Sequence, residues 1–305
     1  MSQTAFAAIT LQDDTGRSIT LIHPPQRIVS LAPHVTELIY AVGAGAQLIG
    51  ADSASDYPAA AKNLPRIGDY NRINFERVLV LKPDLVIGWT SGNRAADVYK
   101  LRQMGIPVLL TDAHQMRDVA RLLRLIGRAT AQSSGGETAA RDFETRLGKL
   151  RAHYASIPTR RVFYQVWDKP LMTIGGHHWI NDAITLCGGR NIFADLEAAA
   201  PVVSVEAVLA RAPEIIVSGS DAPDVRKMWQ RFPRMPAVQR NAWVRINADA
   251  LHRPTPRLLD GARALCAGKP PQDDEQQQAF AQRLIQGRRV ARLRVNVRKN
   301  HRPGQ

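Results

Sequence analysis

The chain has almost no cysteine, no long apolar run and none of the common catalytic signatures, and each shortage removes a class of protein. No stretch approaches 18 consecutive apolar residues, so no segment reads as a membrane-spanning helix. There is no G-x-G-x-x-G and no G-x-x-x-x-G-K-[ST], which leaves nucleotide binding without a phosphate loop. H-E-x-x-H and the G-x-S-x-G elbow are absent as well. His177 and His178 are adjacent rather than one helical turn apart, so on any regular element their side chains diverge and they do not read as a metal pair. Only Cys187 and Cys266 are present, 79 residues apart, a spacing that suggests neither zinc nor a redox C-x-x-C pair. Two buried thiols and one disulfide both fit. A bridge closing so long a loop is worth about 4 kcal/mol in the chain-entropy model and implies an oxidising compartment.

Acid is missing from one end. After residue 282 there are eight Lys or Arg and no Asp or Glu, which accounts for more than half of the net charge of +14. A basic tail over 283–305 could serve nucleic acid or anionic lipid, but it also reads as a solvated, disordered end, and no nucleic-acid partner is expected. The other end, from Met1 to Ala8, is too short for the charged and apolar regions of a secretory signal, although Ala5-Phe6-Ala7 has the form of a cleavage site. Either the protein is cytoplasmic or the chain starts inside a longer signal peptide. With 45% hydrophobic and 22% charged residues over 305 positions, the composition is that of a globular protein of two ordinary domains.

One phrase occurs twice. Asn74-Phe75-Glu76 leads through Lys82-Pro83-Asp84 into Leu85-Val86-Ile87-Gly88, and 130 residues later Ser204-Val205-Glu206 leads through Ala212-Pro213-Glu214 into Ile215-Ile216-Val217-Ser218. Each copy predicts a short capped helix, a Pro-marked turn and a buried strand. Doubling at half-chain spacing implies two similar lobes with a cleft between them.

The remaining pattern agrees. A hairpin is expected over 9–11 and 18–22, then strands over 27–31, 47–51, 85–88 and 107–111 separated by helices over 36–42, 74–81 and 95–104. Apolar strands alternating with helices predict a parallel, doubly wound α/β sheet. Helical pattern follows over 115–131, a break at Ser133-Ser134-Gly135-Gly136, and a longer helix over 137–156 with Phe143, Leu147 and Leu150 on its apolar side. The second lobe opens with a strand over 161–167. It continues with a helix over 180–186, the repeated unit, an irregular segment, a strand over 243–247 and a helix over 257–267. The domain expectation is therefore an N-terminal lobe over 18–132, a connecting helix over 133–158, a C-terminal lobe over 159–268 and a basic tail over 269–305.

Several segments carry a resemblance. Arg27-Ile28-Val29-Ser30-Leu31-Ala32-Pro33 with Thr36-Glu37-Leu38 resembles the opening of the substrate-binding proteins of ABC importers for cobalamin, haem and ferric siderophores. Ser55-Asp56-Tyr57-Pro58, the 76–89 segment, Cys187-Gly188-Gly189-Arg190-Asn191-Ile192-Phe193 and Thr255-Pro256-Arg257 resemble the cobalamin-binding members in particular. The resemblance covers about 20–268. It implies a class III periplasmic binding fold, two Rossmann-like lobes joined by one rigid helix, and a Cys187–Cys266 disulfide. It further implies a monomer in the periplasm that captures cobalamin (vitamin B12) or a related corrinoid and serves an ABC importer permease dimer in the inner membrane. There is no catalysis and no catalytic cofactor in this expectation. Haem or a ferric siderophore is the alternative ligand, and an enzyme on the same scaffold a more distant one.

Site residues follow from the same resemblance. Tyr57, Tyr70, Trp89, Asp249 and Arg253 match positions that line the ligand cleft, while Asp249 and Arg253 equally fit a local i, i+4 ion pair. Tyr70 stands where relatives carry a tryptophan, and Ala200 where they carry another, so one stacking wall is missing. Flat Tyr and Trp faces suit a corrin rim, and no residue need coordinate the cobalt. Glu76 and Glu206 match glutamates that dock onto permease arginines, one from each lobe. Both also stand where an acid favours the helix dipole by about 0.3–1 kcal/mol, which explains them without a partner.

Overall fold

A computed structural model describes residues 8–69, 72–219 and 224–268 of the chain. Strands β1 (Ile9–Gln12) and β2 (Ser18–Leu21) form the expected antiparallel hairpin. Next come β3 (Ile28–Ser30), α1 (Pro33–Ala41), β4 (Leu48–Ala51), α2 (Phe75–Leu81), β5 (Leu85–Trp89), α3 (Ala95–Gln103) and β6 (Val108–Thr111). Their four strands make one parallel sheet in the order β4-β3-β5-β6. Both faces are covered, which is why β3 and β6 are buried at every residue. Gly43, at φ +88°, ends α1 in the left-handed region that other residues resist.

Helices α4 (Asp118–Ala129) and α5 (Ser133–Tyr154) lead to the second sheet. There β7 (Arg160–Gln165) is followed by a small hairpin of β8 (Trp167–Asp168) and β9 (Leu171–Met172), then α6 (Trp179–Leu186), β10 (Gly189–Asn191), α7 (Val205–Ala210) and β11 (Ile215–Gly219). Helices α8 (Val225–Trp229) and α9 (Pro236–Gln239), strand β12 (Trp243–Ile246), and helices α10 (Ala248–His252) and α11 (Leu258–Ala267) complete the described chain. The sheet order is β10-β7-β11-β12, all parallel. In both sheets the strand that comes first in sequence lies between the second and the third.

The doubled phrase has a structural reason. Asn74 Oδ1 accepts from Arg77 N at 3.0 Å, and Ser204 Oγ accepts from Ala207 N at 3.1 Å, so each copy caps its own helix. Lys82 and Ala212, each just before a proline, turn the chain with φ of 48° and 45°. The acid that follows then ties the turn to the start of the first strand of each parallel sheet, at the entry to β3 and in β7. Asp84 accepts from Gln26 N and Arg27 N at 2.7 and 3.0 Å, and Glu214 accepts from Arg161 N at 3.0 Å. The two arginines return the favour, Arg27 to Leu81 O and Arg161 to Ala212 O.

One boundary differs from the sequence reading. Ser133–Gly136 is not a break but the first turn of α5. Two glycines there would each cost about 1 kcal/mol in an exposed helix. Here they permit contact: a Cβ on Gly135 would lie 2.2 Å from Val42 O, and one on Gly136 2.7 Å from Leu123 O. Backbone approach of α5 to α1 and α4 outweighs the propensity. Phe143, Leu147 and Leu150 are buried as expected, and one continuous apolar core runs from β3 and α1 through α4 and α5 into α6 and α11. The segment read as irregular after 218 contains α8 and α9, and α10 follows β12; all three are too short for a periodic signal.

Cys187, just after α6, and Cys266 in α11 form a disulfide with Cα atoms 4.9 Å apart. No described helix is long and apolar enough to cross a membrane.

Candidate ligand-binding cleft

A cavity of about 290 Å³ opens where the two lobes face each other. Its N-terminal wall comes from the carboxyl ends of β5 and β6: Trp89, Ser91, Asp112, Ala113 and His114. Open parallel sheets place ligands at this end of their strands. The facing wall belongs to the C-terminal lobe and comprises Val166 and Ile174, the turn into α6 (His177 to Ile180), Ala199 and Ala200, and His252.

Trp89 is held as a wall rather than left to rotate. Its Nε1 donates to Asp112 Oδ1 at 3.1 Å, and Ser91 Oγ donates to the other oxygen of Asp112 at 2.6 Å. The buried ring of His34 meets the indole edge-on at 5.2 Å. Burial drives His34 down to about 3, with Arg253 adding to the effect, so this imidazole is neutral. Across the cleft, His178 Nδ1 accepts from Ile180 N at 3.1 Å and caps α6. Burial, then the neighbouring His252 and His114, bring it also to about 3. Trp179 Nε1 donates to Leu251 O at 2.9 Å, which fixes α6 against α10.

Beside the cavity lies a charged seam. Glu37, on α1, is reached by Arg253 at 3.0 Å, Arg257 at 3.1 Å and the Thr255 hydroxyl at 3.0 Å, all from the C-terminal lobe. Arg253 also donates to Asp56 at 2.6 Å and Asp249 at 2.7 Å. Burial pushes the Glu37 carboxyl above its usual range, although Arg253, Arg257 and Thr255 all pull the other way. Asp56 feels the same burial, but its bond to Arg253 prevails and holds it low. The guanidinium of Arg257 stacks 4.0 Å above the Tyr57 ring, a cation–π contact.

The expected site residues therefore divide. Trp89 lines the cavity, and so does Ala200, at the position where a wall was expected to be missing. Tyr57, Asp249 and Arg253 belong to the seam. The local Asp249–Arg253 pair forms, and Arg253 reaches past it into the other lobe. Tyr70 lies outside the described residues, as do the basic tail and residues 1–7. Glu76 and Glu206 are exposed in the first turns of α2 and α7, one per lobe. Sequence reasoning gave no role to Glu37, Asp56, Arg257 or the cleft histidines. Glu37 stood inside a quoted segment, but nothing local shows that a helical carboxylate meets partners 216 and 220 residues away.

Comparison with known proteins decides the family, since the periplasmic binding protein family matches residues 28–247. The chain belongs to it. This periplasmic binding protein is 41% identical over 244 residues to the vitamin B12-binding protein of Vibrio cholerae, covering 80% of the present chain and 88% of that one. It is 38% identical over 251 residues to the vitamin B12-binding protein of Vibrio parahaemolyticus, covering 82% and 91%. The crystal structure of the periplasmic vitamin B12-binding protein BtuF of Vibrio cholerae superposes with a TM-score of 0.74 at 39% identity, over 80% of this chain and 96% of that one. A periplasmic haem-binding protein from Roseiflexus matches with a TM-score of 0.71 at 24% identity, over 80% and 97%, a likeness of fold alone. The expected class III periplasmic binding fold is thereby borne out.

Proposed function

We propose that this chain is a periplasmic substrate-binding protein that holds cobalamin or a related corrinoid between its lobes and hands it to an ABC importer. One observation carries the reading: a cleft walled by a fixed tryptophan and by apolar and imidazole side chains, in a chain 41% identical to a vitamin B12-binding protein. A corrin offers a broad apolar rim with amide arms, and such a surface needs flat walls and a few polar groups rather than a catalytic constellation. The binding role leaves no chemistry for the chain to perform, so it is a carrier and not an enzyme.

In this reading Trp89 faces the macrocycle. Tyr57, Asp249 and Arg253 border it from the seam, and Tyr70 extends the aromatic surface. Glu76 and Glu206 are the contacts for a permease dimer, one from each lobe, and the carrier works as a monomer. The lobes are 18–132 and 159–268 with the connecting helix between them. Because their core is continuous through α4 and α5, the lobes shift only slightly on binding.

Isothermal titration with cyanocobalamin, haem and a ferric siderophore tests the ligand. Cyanocobalamin is expected to bind, and Trp89→Ala to weaken it about tenfold to a hundredfold, the weight of a lost aromatic wall. Binding of haem or siderophore without any corrinoid would replace the ligand while leaving the transport class intact.

A further inference from the structure

The cleft contains more imidazole than shape alone requires. His114, His177, His178 and His252 all line it. Three of them are engaged: His178 caps α6, His252 bonds the Tyr164 hydroxyl at 2.8 Å, and His114 Nε2 stands 3.7 Å from the Asp112 carboxylate. His177 is exposed in the cleft and makes no hydrogen bond, ion pair or ring contact among the described residues.

Its backbone, by contrast, is pinned on both sides. Gly175 N donates to Ala199 O at 3.1 Å and Gly176 N to Leu196 O at 3.0 Å. The packing there is too tight for side chains, since a Cβ on either glycine would lie 2.2 Å from a carbonyl oxygen, of Ala198 or Ala194. On the other side comes the capped start of α6. Ala199 and Ala200 border the same cavity with only a methyl group each, so the space near the ring stays open. A fixed backbone carrying an unengaged imidazole presents a lone-pair donor that need break no bond to bind, so the ordering cost is limited to the ring's own rotamers.

We propose that His177 is an axial ligand for the cobalt of a corrinoid whose upper coordination position carries an exchangeable water. The proposal rests on the corrinoid reading above. In the step, the cobalt–water bond breaks and water leaves, while the lone pair of one ring nitrogen forms the cobalt–nitrogen bond. Cobalt keeps its oxidation state, and the other ring nitrogen keeps its proton. Imidazole suits transition metals of this kind. The macrocycle itself supplies the equatorial ligands, so one side chain is enough, in keeping with the lack of any three-residue metal cluster among the described residues. The carrier then prefers aquocobalamin to cyanocobalamin, because cyanide already occupies the position.

The test is an absorbance titration of the full chain and of His177→Ala with aquocobalamin and with cyanocobalamin. The wild type is expected to shift the near-ultraviolet band of aquocobalamin only, and to prefer it by about tenfold or more, equivalent to roughly 1.4 kcal/mol. The variant should lose the shift and most of the preference. Added cyanide should reverse the shift in the wild type, a check that needs no substitution. Binding of both forms with no shift would overturn the proposal alone, as would a shift that persists in His177→Ala. Failure of both forms to bind would remove the corrinoid reading and this proposal together.

Discussion

Arg253 and Glu37 lie 216 residues apart in sequence and 3.0 Å apart in space, with 11% and 2% of their side chains exposed. They meet across the boundary between the lobes. Arg253→Met leaves Glu37 with Arg257 and the Thr255 hydroxyl, so the cost should fall below the roughly 3–5 kcal/mol of a fully stranded buried charge. A measurable fall in the urea midpoint is expected. Adding Glu37→Leu to it should restore part of the loss, giving a coupling that a double-mutant cycle measures. If Arg253→Met instead left stability unchanged and only weakened ligand binding, Arg253 would be a cleft residue and not a tie.

Glu76 and Glu206 predict a separation of functions. Both are exposed, and neither makes an ion pair with any described residue. Exchanging both for Lys should abolish ligand uptake by a reconstituted importer while leaving ligand affinity within about twofold, since rim charges govern association with a partner. A parallel fall in affinity would show that these acids act on the cleft and not on the permease.

Stability should depend on pH through two neutral histidines. Burial holds His34 and His178 at about 3 in the folded state, against 6.5 for each when free. Between those values the unfolded chain binds more protons, so the contribution is complete above pH 6.5 and is lost as pH falls towards 3. Each histidine adds a slope of at most about 1.4 kcal/mol per pH unit. Glu214 extends the loss at the acid end. Burial pushes its carboxyl up, yet Arg161 N, Arg240 and Arg160 outweigh this and hold it at about 2. Its contribution disappears as pH drops from about 4.5. Urea unfolding from about pH 8 to about pH 4 reads the slope, and a flat profile would contradict buried neutral imidazoles.

The disulfide makes a simpler prediction. Replacing both Cys187 and Cys266 by Ala frees a loop of 79 residues and should cost about 2–4 kcal/mol of unfolding free energy. Reduction of the wild type should lower its urea midpoint to near that of the double variant. A midpoint unmoved by reductant would mean that the bridge is not formed in solution.

Much of this molecule is legible in its sequence because the relevant signals are local. Asn74 and Ser204 announce their helices, Pro83 and Pro213 their turns, and the apolar runs behind them their strands. Trp89 could be placed by topology alone, beyond the carboxyl end of β5. The failures share a cause. Gly135 and Gly136 looked like a break because their partners, Val42 and Leu123, are distant in sequence. Glu37 looked like any helical acid for the same reason. His178 looked like half of a failed metal pair because its bond to Ile180 N appears only once α6 begins. Contacts between lobes leave no periodicity, and apart from the local Asp249–Arg253 pair the seam is made of them.

Glu37 also carries information about time. It sits on the first helix, and the arginines that satisfy it follow 216 and 220 residues later. A chain synthesised from its amino end thus holds an ionised carboxylate against water until α10 and the residues after it arrive, because a lone charge is too costly to bury. Closing of the seam therefore waits on the C-terminal lobe, because every partner of Glu37 across it comes from residues 253–257.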